Sequence, residues 1–217
     1  MTVLGQRAGT DIDTDPHEQL GALERLEQEW RRHPVRDDRI NHHLAGLVAR
    51  AHIAGGRVLE IGGREYPRGG VFPEDRFTYD NMDIVPEIAS VVGDITSCPE
   101  LPDASYDVIV SVDVFEHLKQ PWLAAAEIKR LLAPGGLVYT STLFSWRYHP
   151  CPVDFWRYTP EALKFLFEGL VVLECDFDLT ERRRDIRKKS KEDPMPIDAL
   201  GGWRENVRVF HAAIKRA

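Results

Sequence analysis

The sequence predicts an α/β fold with a doubly wound, mostly parallel sheet, and two observations support that prediction. From Arg57 onward, short apolar runs that can form strands alternate with helical or loop segments, as in parallel sheets covered by helices on both faces. The first run, 57–61, leads directly into Gly62-Gly63. Such a turn lets the backbone approach a ligand, because glycine has no Cβ. We therefore expect a ligand site at the carboxyl ends of the strands.

The composition is that of a globular domain of ordinary size. The chain has 217 residues, of which 43% are hydrophobic and 29% are charged, enough to build one full core. Its net charge of −7 argues against a general nucleic-acid-binding surface, which needs excess positive charge. No apolar run approaches the roughly 18 residues of a membrane span, and the N-terminus lacks the basic-then-apolar order of a signal peptide. We therefore expect a cytoplasmic protein without a membrane partner.

Cysteine usage agrees with that expectation. Cys98, Cys151 and Cys175 are far apart in the sequence, and their number is odd. A complete disulfide framework is thereby excluded, and the spacing argues against a zinc site. Reduced thiols of a cytoplasmic protein are the expected state.

The N-terminal residues are expected to form a tail and two helices. Residues 1–15 are polar and poor in apolar side chains, which favours disorder. Asp15-Pro16 suits a helix start, and Pro34 would end that helix. A second amphipathic helix is expected from about Val35 to Ala51.

The elements after this region account for the rest of the predicted sheet. Strands are expected at about 57–61, 77–83, 90–92, 106–111 and 136–142, helices at about 121–132 and 160–168, and two more strands at about 170–177 and 206–215. A run with seven basic residues between Arg182 and Lys191 is interpreted as a solvated loop or helix face.

Four segments follow the glycine turn in a fixed order and complete a recognisable pattern. Asp83 ends the second apolar strand about 20 residues later, where a carboxylate can accept hydrogen bonds from ribose hydroxyls. The segments after it are Val91-Val92-Gly93-Asp94-Ile95, Tyr106-Asp107-Val108-Ile109-Val110-Ser111 and Leu131-Leu132-Ala133-Pro134-Gly135-Gly136. Together these segments resemble the class I S-adenosylmethionine-dependent methyltransferases. Within that superfamily the chain looks most like the small bacterial type 11-like methyltransferase domains that act on small molecules.

The resemblance covers about 40–217 and implies a specific architecture. It implies a Rossmann-like, seven-stranded sheet with an antiparallel C-terminal hairpin in residues 53–217. It also implies that helices within 16–52 cap the cofactor cleft.

The resemblance implies an activity as well. Methyl transfer from S-adenosyl-L-methionine to a small polar acceptor is expected, leaving S-adenosyl-L-homocysteine. The acceptor atom is expected to be a hydroxyl or acidic oxygen of a natural product, a sugar or a similar metabolite. Two alternatives stay open, a methyltransferase for a protein or RNA group and a non-catalytic S-adenosylmethionine-binding module. A homodimer is also left open.

The first motif of that family matches Glu60, Gly62 and Gly63, but the chain departs from the usual spacing. Arg64 and Glu65 follow the glycine pair, and Gly69-Gly70 come only later, so the loop is longer and more polar than usual. Arg64 could bind the cofactor carboxylate, since a guanidinium matches a carboxylate fork, or it could be a surface charge.

The resemblance assigns the other cofactor contacts to residues at later strand ends. Asp83 would hold the ribose, and Asp94 would accept from the adenine amino group. The remaining contacts would come from Met82, Ile84, Ile95, Ser111 and Val112.

Two places supply candidate general bases for the acceptor. His117 lies in the string Asp113-Val114-Phe115-Glu116-His117-Leu118, and His149 could pair with Asp154. Arg157 could instead take Asp154 as an ion-pair partner, which would make this segment a structural network. Acceptor contacts are expected from Trp146, Arg147, Tyr148, Trp156, Arg157 and Tyr158, and the basic side chains would allow an anionic acceptor.

Other chemistries are disfavoured by missing motifs. The sequence has no P-loop, and Gly62-Gly63 lacks the third glycine of a nicotinamide-binding fingerprint. An Asp-Asp or Asp-Asn pair after the fifth strand, typical of metal-dependent relatives, is replaced by Ser141-Thr142, so no metal is expected.

Overall fold

The computed structural model describes residues 36–63, 68, 70–146, 148, 150, 152–184 and 205–216. The tail expected at 1–15 and the first expected helix lie outside these residues. So do three of the candidate site residues, Arg64, Arg147 and His149.

The chain forms three helices, a short 3₁₀ turn and seven strands within the described ranges. In chain order these are α1 (Arg36–Arg50), β1 (Gly56–Ile61), β2 (Phe77–Asp83), β3 (Val91–Val92), β4 (Tyr106–Val112), the 3₁₀ turn (Phe115–His117), α2 (Pro121–Leu131), β5 (Leu132–Ser145), α3 (Pro160–Leu166), β6 (Val171–Arg184) and β7 (Glu205–Ile214).

All seven strands belong to one sheet with the order β3-β2-β1-β4-β5-β7-β6. The strands from β1 to β5 pair in parallel, and β7 runs antiparallel between β5 and β6. The predicted Rossmann-like sheet with an antiparallel C-terminal hairpin is therefore confirmed. The chain runs outward from β1 through β2 to β3 and then returns to β4 on the other side. This reversal creates a crevice between β1 and β4, where ligands bind in open α/β sheets.

Each face of the sheet carries its own apolar core. On one face, Leu44 and Leu47 of α1 belong to a buried cluster with Val58, Val110 and Tyr139. On the other face, residues of α2 and α3 pack on the alternate side chains of the same strands. Burial on both faces explains why these strands read as nearly continuous apolar runs.

Two strands are longer than the sequence predicts. β5 begins at Leu132, directly after α2, because Leu132 already pairs with Tyr106 of β4, and residues 133–136 form an irregularity before the pairing resumes at Leu137. β6 extends to Arg184 and pairs with β7 there. The interpretation of the basic run as a loop or helix face is therefore wrong for residues 182–184, which are strand. The rest of that run lies outside the described residues.

Two further observations concern the described ranges only. Across them, no helix combines the length and apolar content that crossing a lipid bilayer requires. Nor do their His, Cys, Asp and Glu side chains form any group of three or more that could hold a metal ion.

Candidate functional site

A cavity of about 380 Å³ opens at the carboxyl ends of β1, β2, β3 and β4. This volume lies within the range of small-molecule sites. It is lined by Ile61, Gly62, Met82, Asp83, Ile84, Val85, Gly93, Asp94, Ile95, Asp113, Val114, His117, Leu118 and Pro152. The cavity therefore occupies the crevice that the strand order creates.

The glycine turn after β1 forms one wall of this cavity. Gly62 has φ +70°, and its N–H donates to the carbonyl of Met82 over 2.8 Å. The Gly63 N–H donates to Oδ1 of Asn81 over 3.1 Å. A Cβ on Gly62 would lie 2.6 Å from Cγ2 of Val114. Glycine is therefore required where the turn passes between β2 and the segment after β4.

Gly63 allows a matched test of this turn. A Cβ at Gly63 would lie 2.6 Å from Cδ of Glu60, so we expect Gly63→Ala to destabilise the fold by about 1–3 kcal/mol. A Cβ at Gly46 in α1 would have no neighbour within 4 Å, and Gly46→Ala should be neutral or stabilising by up to about 1 kcal/mol. Urea unfolding of both variants measures the difference, and equal stabilities would contradict the close approach.

Glu60 points away from the cavity and forms a buried ion pair. Arg68 Nε donates to Glu60 Oε1 over 2.9 Å, and the two side chains are 7% and 2% exposed. Arg68 Nη1 also donates to Oδ1 of Asn41 in α1 over 2.6 Å. Burial raises the pKa of Glu60 to about 7, although Arg68 opposes that rise. Glu60 thus ties the far end of the long glycine-rich loop to β1 and α1.

Two of the predicted carboxylates lie at the cavity with their orientation fixed. Asp83 Oδ1 accepts from the N–H of Val85 over 3.0 Å. Asp94 Oδ1 accepts from the N–H and the hydroxyl of Thr96, both over 2.8 Å. The second oxygen of each carboxylate takes no part in these bonds. Each carboxylate thus has an oxygen with which to accept from a ligand.

The apolar neighbours of these carboxylates have different exposure. Met82 and Ile95 are buried against the core, whereas Ile84 is exposed at the cavity rim. Ser111 is buried in β4, and Val112 packs towards the α1 side of the sheet. Neither residue is among those that line the cavity, and their contact with a cofactor stays a prediction.

Asp113, the residue that follows β4, lines the cavity instead. It has φ +55°, and its Oδ1 accepts from Nε of Arg208 over 2.9 Å and its Oδ2 from Nη2 over 3.1 Å. The Arg208 guanidinium also lies over the ring of Trp146, 4.4 Å from its centroid. A strand from the C-terminal hairpin therefore fixes a carboxylate at the cavity wall.

His117 lies at the other end of the 3₁₀ turn and also lines the cavity. Its Nδ1 is 2.6 Å from the carbonyl oxygen of Val153. A carbonyl oxygen only accepts, so Nδ1 carries the proton and the neutral ring has its lone pair on Nε2. Nε2 lies 3.9 Å from Oε1 of Glu116. This tautomer is the one that a general base acting through Nε2 needs.

Glu116, beside His117, is fully buried. The Thr142 hydroxyl donates to its Oε2 over 2.7 Å. Burial raises the pKa of Glu116, and the nearby charge of Asp113 raises it further.

The segment 152–158 contains the Arg157–Asp154 ion pair that the sequence offered as one alternative, and the other alternative, a His149–Asp154 pair, stays a prediction. Arg157 Nη2 donates to Asp154 Oδ2 over 2.7 Å, and Arg157 Nε donates to the Trp146 carbonyl over 3.0 Å. Asp154 therefore has Arg157 as its ion-pair partner, while His149 lies outside the described residues.

The predicted acceptor residues differ in exposure. Tyr158 is buried, and its hydroxyl donates to the Phe115 carbonyl over 2.8 Å. The expectation that Tyr158 lines an acceptor slot is therefore wrong, because its ring belongs to the core. Tyr148 and Trp156 are exposed.

Residues that sequence reasoning did not assign complete the site. Val85, Gly93, Val114 and Pro152 line the cavity next to assigned residues. Nothing in the local sequence marks Arg68 or Arg208 as a site residue, because only the fold brings each arginine to its carboxylate partner. Asp113 could have been assigned to the site from sequence, because it directly follows the fourth strand.

Comparison with known proteins gives one matching family model and several solved structures that share the fold. A family model described as "Methyltransferase domain" matches residues 74–140, which run from β2 into β5. A search of curated protein sequences gives no match.

Solved structures share the fold at low sequence identity. A candidate methyltransferase in complex with the Haloferax volcanii Trm112 activator is 20% identical, with a TM-score of 0.59 over 83% of this chain and 91% of that one. A candidate methyltransferase from Bacillus halodurans is 15% identical, with a TM-score of 0.58 over 80% and 99%. The [4+2]-cyclase SpnF is 17% identical, with a TM-score of 0.55 over 81% of both chains.

The sheet order and the cavity between β1 and β4 agree with the matched model, which is described as a methyltransferase domain. They confirm the resemblance to the class I S-adenosylmethionine-dependent methyltransferases. The shared fold also hosts a cyclase, so the fold by itself does not fix the reaction.

Proposed function

We propose that the protein transfers a methyl group from S-adenosylmethionine to an oxygen of a small acceptor, without a metal. One observation carries the proposal. Six of the residues assigned to the cofactor from the sequence line the same cavity, although they come from three separate segments. They are Gly62, Met82, Asp83, Ile84, Asp94 and Ile95.

The residues present suit the chemistry of that cofactor. The unused oxygen of Asp83 can accept from ribose hydroxyls, and that of Asp94 from the adenine amino group. Ile84 and Ile95 offer apolar surface for the ring between them. The cofactor supplies a methyl group on a positively charged sulfur, and the Asp113 carboxylate at the same cavity is ion-paired with Arg208.

The acceptor side of the proposal depends on His117. In the tautomer fixed by Val153, Nε2 can take the proton of an acceptor hydroxyl as the oxygen attacks the methyl carbon. The buried Glu116 carboxyl, whose Oε1 lies 3.9 Å from Nε2, stabilises positive charge on the ring when it is ionised. The main task of the protein is then alignment, because the methyl donor already carries a good leaving group.

An anionic acceptor finds less support than the sequence implied. Two arginines beside the cavity wall are each engaged by a carboxylate, Arg157 by Asp154 and Arg208 by Asp113. Their positive charges are thereby largely balanced within the protein. An uncharged acceptor fits this arrangement better.

A second candidate function is cofactor binding without methyl transfer. The Glu60 side chain, which matches the first motif, is engaged by Arg68 instead of facing the cavity. The cyclase that shares the fold shows that proteins of this architecture serve other reactions. Cofactor binding without turnover on any acceptor would favour this candidate.

Calorimetric titration with S-adenosylhomocysteine tests the proposal. We expect binding to the wild-type protein and a loss of about 1–3 kcal/mol of affinity in Asp83→Asn, because a charge-assisted hydrogen bond is removed. Asp75 is an exposed carboxylate outside the cavity lining, and Asp75→Asn is the matched control with unchanged affinity. Equal dissociation constants for both variants would remove Asp83 from the site, and no binding to any of the three proteins would overturn the proposed function.

A further inference from the structure

Two tryptophans form an exposed aromatic surface beside the cavity. Trp122 at the start of α2 is 50% exposed, and Trp156 is 39% exposed. Their ring centroids are 6.3 Å apart, with an angle of 76° between the ring planes. We call these two rings the tryptophan pair. A contiguous apolar surface of this kind marks an interaction site more often than single exposed apolar residues do.

Hydrogen bonds join the tryptophan pair to the cavity wall. The indole Nε1 of Trp156 donates to the carbonyl of Leu118 over 2.8 Å, and Leu118 lines the cavity. The backbone N–H of Trp156 lies 3.3 Å from the carbonyl of Glu116, next to His117. The pair is therefore continuous with the part of the cavity where His117 lies.

The pair offers apolar contact without charge. The one polar group of the Trp156 side chain is already bonded to Leu118. The neighbouring guanidinium of Arg157 is held by Asp154 and by the Trp146 carbonyl. Indole rings bind flat aromatic groups by stacked or edge-to-face contact. The chemistry of this surface thus suits a flat ring system.

We propose that the tryptophan pair is the acceptor subsite and that it binds the aromatic ring of a phenol. This inference rests on the proposed methyl transfer and specifies its acceptor class. A phenolic hydroxyl has an ordinary pKa of about 10, far below that of an aliphatic alcohol, so a side-chain base can remove its proton readily. The ring would lie on the pair, with the hydroxyl towards His117. The proton passes to Nε2 as the new oxygen–methyl bond forms and the sulfur–methyl bond breaks.

The test uses 2-naphthol, a flat phenol, as the probe. It is titrated calorimetrically into protein saturated with S-adenosylhomocysteine, and transfer to it is followed with S-adenosylmethionine. The variants are Trp156→Ala, Trp122→Ala and Trp156→Phe, which keeps a ring but loses the N–H. Phe165, an aromatic on α3 that is 75% exposed, supplies the control Phe165→Ala. Thermal unfolding checks that each variant is folded, and Trp122→Ala carries the test if Trp156→Ala is not.

We expect 2-naphthol to bind and to be methylated. Its affinity should fall about tenfold or more in the two alanine variants, corresponding to about 1.4 kcal/mol, fall less in Trp156→Phe, which keeps a ring, and stay within about threefold of wild type in Phe165→Ala. Equal affinity in all variants would overturn the subsite, as would failure of 2-naphthol to bind while S-adenosylhomocysteine binds normally. Absence of S-adenosylhomocysteine binding would instead overturn the proposed function, so the two failures are distinguishable.

Discussion

Replacing Arg68 by methionine is expected to lower the free energy of unfolding by about 3–5 kcal/mol at pH 8, because it leaves the buried Glu60 carboxylate without its partner. Urea unfolding measures this loss. Arg76→Met is the matched control, because Arg76 is exposed and lies 3.9 Å from the carboxylate of Asp75. A change within about 0.5 kcal/mol is expected there.

The pH dependence of this loss identifies its cause. Burial raises the pKa of Glu60 from 4.5 to about 7, so the folded protein holds this proton more tightly than the unfolded chain. The resulting stability is fully present below about pH 4.5 and is lost as the pH rises through about 7. Without Arg68, which lowers this pKa, the loss extends to higher pH.

Between pH 5 and pH 8, the difference between wild type and Arg68→Met should therefore stay nearly constant up to about pH 7, where Glu60 is protonated in both folded proteins, and grow above it. The double variant Glu60→Gln/Arg68→Met removes the carboxylate and should recover most of the stability at pH 8. A constant difference across this range would mean that lost packing, and not the charge of Glu60, causes the destabilisation.

Replacing His117 by asparagine is expected to lower kcat by about 10²–10⁴-fold, the usual contribution of a general base. The asparagine amide can still donate to the Val153 carbonyl, which His117 Nδ1 contacts at 2.6 Å, but it lacks the basic Nε2. The affinity for S-adenosylhomocysteine should stay within about threefold of wild type, because the lost function concerns the acceptor.

Turnover of 2-naphthol, or of any other acceptor that is methylated, measures the effect. His52→Asn repeats the same substitution at an exposed residue with φ +57°, a conformation that asparagine adopts readily. It should keep wild-type turnover. Wild-type kcat in His117→Asn would assign this residue a structural role and leave methyl transfer to alignment alone.

Much of the fold was predictable because each signal is local. β2 has the predicted bounds, and Gly62, Asp83 and Asp94 lie where the order of strands and turns placed them. A strand followed by a glycine or an acidic residue specifies the carboxyl end of that strand. In a parallel sheet all such ends meet at one edge.

The rest of the site depends on pairings that sequence alone does not fix. Arg208 and Asp113 are 95 residues apart, and they meet only because β7 lies beside β5. Asp154 had two candidate partners in sequence, and the backbone between 154 and 157 brings Arg157 to it. Tyr158 was expected to contact the acceptor, yet its ring packs on Phe115 in the core.

The position of β7 between β5 and β6 has a consequence for synthesis on the ribosome. β5 and β6 are made before β7, although each forms its antiparallel pairing with it. In the nascent chain the edge of β5 therefore stays open, and β6 has no strand in place to join it to the sheet. An open edge can pair with strands of other chains. We expect the growing polypeptide to be most prone to wrong strand pairing, and most dependent on chaperones, in the interval between the emergence of β6 and that of β7.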